Sequence, residues 1–314
     1  MSMPIPEHRD TVVITGSSGF IGRALVRHLH ASGRPVVAIS RHAWTAPAGV
    51  RVATIASYDD AAALAAAVPA GSVVVHLASI AHRGGEAAEF TASTRAAQNM
   101  LTAAAARGAC RFVFMSSIGV NGNVTHGRPF SERDPPHPVE PYAESKLRAE
   151  EIVRAGPLEH VILRPPLVVG PDAPGNFGRL LRAVRSGLPL PFGAIRNART
   201  FIGIDNLVDL LALCLDHSAA ANELLLAGDA EDLSTPELVR CIAQGLGRPA
   251  RLFPVPPSGL RAVAALAGKA RLAESLCGSL QVDASRARQL LGWKPRLPAG
   301  EGVRRAAAES RRRP

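Results

Sequence analysis

The sequence predicts an α/β fold, a doubly wound parallel sheet followed by a smaller C-terminal lobe, and three observations predict it. Short β-branched runs alternate with helix-period stretches through the first half of the chain. The runs lack polar residues at alternate positions, as strands buried on both faces require. A glycine-rich turn then joins the first run to the first helical stretch in "VVITGSSGFIGRALVRHLH". Strands that alternate with helices build parallel βαβ units with helices on both faces.

Taken in order, the predicted strands are "TVVIT", "PVVAIS", "VRVATI", "SVVVHLAS", "RFVFMSS" and "HVILRP". The helices between them are "GRALVRHLHASG", "DDAAALAAAV", "FTASTRAAQNMLTAAAARG" and "YAESKLRAEEIVRAG". Beyond about Gly170 the pattern changes to Pro/Gly-rich loops and helices such as "GPDAPGNFGRLLRAVRSGLPLPFG" and "STPELVRCIAQGLGRP". The expected division is a sheet domain over residues 1–170, with a return segment near 199–217, and a lobe over 171–314 that reads the substrate. No internal repeat or low-complexity linker interrupts it.

Bulk properties narrow the class. With 314 residues and 47% hydrophobic content, the chain can bury a large core. No apolar run reaches the length of a membrane span, and "MSMPIPEHRD" lacks the basic-then-apolar order of a secretory signal. Cys110, Cys214, Cys241 and Cys277 are far apart, without zinc or redox-pair spacing, so no metal site and a reducing cytoplasm are expected. The formal charge of +10 invites a nucleic-acid partner. The excess, however, is scattered arginine, and aromatics at 4% leave few platforms for stacking bases. It reads as a solvated surface, and no nucleic acid is expected. The tail "RRAAAESRRRP" reads as a frayed basic helix end or a weak contact for an anionic surface.

The glycine turn points to a phosphate ligand. In a doubly wound sheet, ligands sit at the carboxyl ends of the strands, and the first strand–helix turn cradles a pyrophosphate. Gly16 permits the sharp exit, Gly19 the approach of backbone to phosphate, and Gly22 the close packing of helix on strand. The helix N-terminus then offers free N–H groups to the anion. No Gly-Lys-Ser/Thr ending follows, which argues against a kinase-type loop. A Rossmann-like dinucleotide site is the expectation.

The end of the second strand bears on which dinucleotide. An acidic residue there holds the adenosine ribose of NAD, whereas arginine accommodates the 2′-phosphate of NADP. The chain reads "VVAISRHA", with Ser40 and Arg41 and no carboxylate. NADP(H) is therefore favoured over NAD(H).

"EPYAESKLRAEEIV" sets Tyr142 and Lys146 four apart at a helix start, hence on one face. A phenol titrates near ~10, and a neighbouring ammonium favours its ionised form, so the pair can move protons nearer neutrality. Ser116 and Ser117 end the fifth predicted strand, where a hydroxyl can reach a substrate oxygen beside Tyr142.

"TGSSGFIG", "VVVHLAS", "FVFMSSIGVNG", "PYAESKLRAE", "LRPPLVVGP", "RTFIGIDNLVDLL" and "ARQLLGWKP" resemble, in that order, the extended short-chain dehydrogenase/reductases. These are the nucleotide-sugar epimerases, dehydratases and ketoreductases, and the resemblance covers nearly the whole chain. It implies that Ser117 binds the sugar oxygen, that Tyr142 exchanges the proton, and that Lys146 holds the nicotinamide ribose and tunes Tyr142. It implies cofactor contacts from Gly16, Ser18, Gly19, Phe20, Ile21 and Gly22, from Ser40 and Arg41, and from Leu77, Ala78 and Ser79. Ser116, Tyr142, Lys146 and Pro165 complete that set. Asn176 and Arg199 match residues near the nucleotide diphosphate, for which a guanidinium suits.

Departures from the family pattern carry information. Ile118 and Gly119 follow Ser117 where dehydratases carry an Asp-Glu pair, so loss of water is not expected. Asn121 replaces a tyrosine, Ser93 a helix asparagine, and Ser57 an adenine-binding aspartate. Two enzymatic readings follow: an NADP(H)-dependent 4-ketoreductase acting on a UDP- or dTDP-linked 4-keto-6-deoxy sugar, which the Ser40–Arg41 end favours, and a nucleotide-sugar 4-epimerase. A non-catalytic NADP-binding regulatory or RNA-binding protein is disfavoured because Tyr142 and Lys146 are both kept. The expected partner is a nucleotide-diphosphate sugar, and a homodimer is left open.

Overall fold

A computed structural model describes residues 11–79 and 87–311. Its strands are β1 (Val12–Thr15), β2 (Val36–Ser40), β3 (Arg51–Thr54), β4 (Val73–His76), β5 (Arg111–Met115), β6 (Glu159–Arg164), β7 (Leu167–Val169), β8 (Arg199–Gly203), β9 (Glu223–Leu226) and β10 (Asp232–Leu233). The helices are α1 (Phe20–Ala31), α2 (Ala61–Ala67), α3 (Ala87–Ala106), α4 (Pro141–Ala155), α5 (Gly175–Arg185), α6 (Ile204–Asp216), α7 (Thr235–Gly245), α8 (Pro257–Leu266), α9 (Ala270–Cys277), α10 (Ser285–Leu291) and α11 (Ala299–Ser310).

Seven strands form one parallel sheet in the order β3-β2-β1-β4-β5-β6-β9. Alternate residues of each central strand enter opposite cores. Val12 and Ile14 of β1, with Val73, Val113 and Val161, pack under α1 and α6. Val13, Val74, Phe112, Phe114 and Ile162 pack under α2, α3 and α4. Two apolar faces explain why these strands read as continuous hydrophobic runs. The chain reverses its direction of winding between β1 and β4, and that is where such sheets bind ligands.

The lobe is built on a second sheet, ordered β10-β8-β7, with β8 parallel to β7 and antiparallel to β10. Phe177, Phe201, Val239, Ile242 and Val303 form its core. Helix α7 starts with a reciprocal capping box, Ser234 with Glu237, after which Pro236 sits in the first turn. The return segment extends further than the sequence indicates: α6 covers one face of the large sheet, and β9 then adds its seventh strand at 223–226. The C-terminal tail also differs. Through Ser310 it is the packed helix α11, whose Val303, Ala306 and Ala307 are buried against α7. A small apolar face every third or fourth residue outweighs the arginines that suggested fraying. The N-terminal decapeptide lies outside the described residues. Among those described, no helix is long and apolar enough to cross a membrane.

Candidate active site

The three glycines of the first turn are there for space. Gly16 has φ +65°, and a Cβ on it would lie 2.8 Å from the Ala78 amide nitrogen. A Cβ on Gly22 would lie 2.2 Å from the Gly16 carbonyl oxygen. No side chain caps α1 at Gly19, so the first-turn N–H groups have no side-chain acceptor. A cavity of about 1120 Å³ opens in front of them. Gly16, Ser18, Gly19, Phe20, Ile21 and Gly22 line it, as do Arg41, Leu77 and Ser79. The Ser79 hydroxyl is buried there without a partner. A narrow glycine cradle, a helix N-terminus, a cation and an orphaned hydroxyl fit a dinucleotide phosphate chain.

Below the turn, the Thr15 hydroxyl ties β1 to β4. Its oxygen accepts from the Leu77 and Ala78 amides at 3.2 Å each and lies 3.0 Å from His76 Nδ1. The other ring nitrogen, His76 Nε2, is buried without a partner. Burial, reinforced by the Lys146 charge, pushes the His76 pKa down to about 3, so the ring is neutral. It stacks on Phe112 and Phe114. Tyr58 packs edge-on to it, with its hydroxyl at Gly16 and Thr15. Burial raises the Tyr58 pKa against those contacts and the charge of Arg41.

At the end of β2 the two predicted residues part. Arg41 is exposed and lines the cavity. Ser40 is buried, and its hydroxyl donates to the His42 carbonyl at 2.6 Å. The structure turns Ser40 inward, since a hydroxyl at a tight strand exit bonds its own turn more readily than a distant ligand. Arg23 also lines the cavity, where it donates to the Ser18 carbonyl at 2.7 Å and covers the Trp44 ring at 5.4 Å.

The acid–base residues meet where β5, β6 and α4 converge. Glu140 precedes α4, and Pro141 pre-sets its first turn. Tyr142, half-buried, has the edge of Phe90 at 6.3 Å. One turn on, buried Lys146 donates to the Met115 carbonyl at 2.7 Å. Its ammonium lies 4.9 Å from the centre of the Phe114 ring and 5.9 Å from that of Tyr142. Burial lowers its pKa to about 8, against the opposing pull of Glu150. Ser117 caps a single 3-10 turn, Ile118–Val120, and accepts from the Gly119 amide at 3.1 Å. A Cβ at Gly119 would lie 3.4 Å from both Ser117 Oγ and Ala143 Cβ, so Ser117 stands against the turn of α4 that carries Tyr142.

Ser116 serves a different end. Its hydroxyl donates to Glu150, which Arg164 grips twice and Arg154 once. Arg164 also donates to Asn121 Oδ1 at 2.9 Å, so the asparagine that replaces the family tyrosine closes this buried network. The Pro165 carbonyl accepts from the Ile118 amide and fixes the 3-10 turn on β6. Ser93 and Ser57 spend their hydroxyls locally, on the Glu89 carbonyl and on Asp59. Arg199 is buried on β8 and donates to the Gly278 carbonyl at 2.9 Å, while Asn176 is half-exposed in the first turn of α5. Sequence reasoning missed Tyr58, Thr15, His76, Glu150 and Arg164. Charge in a strand or in the middle of a helix was the available signal for the last two.

The profile of the NAD dependent epimerase/dehydratase family matches residues 12–228, which span the glycine turn, Ser117, Tyr142 and Lys146. The chain belongs to that family. Within it, the chain is 37% identical over 310 residues to a UDP-glucose 4-epimerase of Vibrio cholerae, covering 95% of this chain and 94% of that protein. It is 28% identical to the dTDP-6-deoxy-L-talose 4-dehydrogenase (NAD(P)(+)) of Kitasatospora kifunensis, with 93% of each chain covered. Among solved structures, MoeE5 in complex with UDP-glucuronic acid and NAD matches with a TM-score of 0.77 at 26% identity. That match covers 96% of this chain and 99% of MoeE5. The chain is thus an enzyme of the extended short-chain dehydrogenase/reductase type, in a group whose members epimerise or reduce nucleotide sugars.

Proposed function

We propose that the chain is an NADP(H)-dependent 4-ketoreductase acting on a nucleotide-linked 4-keto-6-deoxy sugar in the cytoplasm. The observation that carries this reading is the exposed Arg41 on the dinucleotide cavity, at the end of β2, where no carboxylate stands. A cation there suits a 2′-phosphate and hence a cofactor that is exchanged after each cycle. The bound dinucleotide supplies the hydride. Tyr142 gives its hydroxyl proton to the carbonyl oxygen at sugar C4, and Ser117 donates a hydrogen bond to the same oxygen. The Lys146 ammonium beside the Tyr142 ring lowers the cost of the phenolate this leaves. Ile118 and Gly119 after Ser117 supply no acid or base for losing water. Asn176 and Arg199 are assigned to the diphosphate side of the substrate.

Similarity favours a second reading. The Vibrio cholerae relative is a UDP-glucose 4-epimerase, and the same three residues can oxidise and re-reduce one sugar carbon with the cofactor returned unchanged. One pair of reactions separates the two. Given a UDP- or dTDP-linked 4-keto-6-deoxy sugar and NADPH, a reductase consumes one cofactor per alcohol formed. Given UDP-glucose and no added cofactor, it accumulates no 4-epimer. Many turnovers of epimer with no NADPH consumption establish the epimerase instead.

A further inference from the structure

Helix α8 buries none of its residues and packs chiefly against its neighbour α9. Large apolar side chains stand in solvent along this hairpin: Val263 is 68% exposed, Leu266 91% and Leu272 39%. Val263 and Leu266, three apart, lie on one side of α8. Lys269 and Arg271 are exposed at the start of α9, while Arg261 stands on the opposite side of α8 from Val263 and Leu266. Some other surface arginines have carboxylate partners, as in Arg95 with Asp59 and Arg286 with Glu223. Among the described residues, no ion pair engages the three hairpin cations. Residues 238–273 contain no Asp or Glu, and the one acid of the hairpin, Glu274 of α9, makes no ion pair with them.

Exposed apolar side chains beside cations that outnumber the acids are the pattern of a helix that lies in a membrane interface. Other partners fit less well. A second copy set across a two-fold axis would bring like charges together, which opposes association. A nucleic-acid backbone would match the cations but leave Val263 and Leu266 in water. A helix of this length spans about 15 Å, half of a bilayer core, so it lies on the surface and does not cross. We propose that the α8–α9 hairpin docks the enzyme on an anionic phospholipid surface. Val263, Leu266 and Leu272 enter the headgroup–acyl boundary, and Lys269 and Arg271 meet lipid phosphates.

Flotation of the full chain with vesicles tests this. The protein floats with phosphatidylcholine–phosphatidylglycerol vesicles and stays behind with phosphatidylcholine alone. Each cation near an anionic surface is worth about a five-fold gain in partitioning. The double variant Lys269→Glu, Arg271→Glu therefore loses about thirty-fold or more. The double variant Val263→Ser, Leu266→Ser also leaves the vesicles, while cofactor titration and thermal unfolding stay parental in both. Absence of flotation on the anionic vesicles overturns the proposal. So does equal flotation of the Ser variant, which would assign the binding to scattered charge. A dimer in solution that Leu266→Ser converts to monomer assigns the face to a second copy and overturns it as well.

Discussion

Glu150 and Arg164 meet in a two-pronged ion pair, Nε to Oε1 at 2.8 Å and Nη2 to Oε2 at 2.6 Å, which solvent does not reach. The pair joins α4 to the end of β6. Through Ser116 and Asn121 it also holds both ends of the segment that carries Ser117. Charges withdrawn from water are tolerated because each Glu150 oxygen accepts two hydrogen bonds and each guanidinium nitrogen of Arg164 donates one, and removing one partner strands the other. Glu150→Ala should cost about 3–5 kcal/mol in unfolding free energy, read from the denaturant midpoint at constant slope. A loss below about 1 kcal/mol would mean that water enters and solvates Arg164.

Tyr142→Phe should lower kcat by about a hundred- to ten-thousandfold while the affinity for dinucleotide stays near parental. The substitution removes one oxygen and keeps the ring that packs on Phe90. Activity assays paired with cofactor titration check it. Near-parental turnover would show that the proton comes from elsewhere, and loss of cofactor binding would make Tyr142 a cofactor-binding residue first.

Lys146 gives the fold a recognisable pH dependence. Its folded pKa of about 8 lies below the value of 10.5 it has when solvated. Between those limits the unfolded chain binds more protons than the folded one, so stability rises with pH there. Below about pH 8 the cost of burying the ammonium is present in full. It is relieved as pH climbs through 8 towards 10.5, by about 3 kcal/mol. Lys146→Met should abolish that rise in the cofactor-free protein. Unfolding curves of parent and variant across this range measure the difference. Parallel curves would show that Lys146 stays hydrated in the folded state.

The large sheet was legible because each central strand is apolar on both faces, a pattern nothing else in the first half of the chain produces. The glycine turn and the Tyr142–Lys146 spacing were legible for a related reason: each is a local pattern set by its own backbone. What escaped was non-local. Ser40 and Arg41 are neighbours in sequence, yet the strand exit sends one inward and the other to the cavity. Strand β9 is four residues with two half-buried positions, too short to show a period, and only its place beside β6 makes it a strand. Glu150 and Arg164 are fourteen residues apart and become partners only when α4 lies on the sheet.

Arg41→Ala should bring the affinities for NADP(H) and NAD(H) closer together by about tenfold. Two polar neighbours are already engaged: Ser40 with the His42 carbonyl, and Arg23 with the Ser18 carbonyl and the Trp44 ring. Arg41 is exposed on the same cavity, so the discrimination falls to it. A charge-assisted hydrogen bond contributes about 1.5–3 kcal/mol, and solvent at an exposed arginine keeps the effect at the lower end, about one factor of ten. The loss should fall on NADP(H), since NAD(H) has no phosphate at the 2′ position for Arg41 to hold. Added salt should narrow the parental preference in the same direction by screening the contact. Fluorescence titration of both cofactors against parent and variant, at two salt concentrations, measures all four affinities. An NADP(H) preference unchanged by the substitution would place the 2′-phosphate away from β2. A parental preference for NAD(H) would remove the basis for exchange of the cofactor and favour the epimerase.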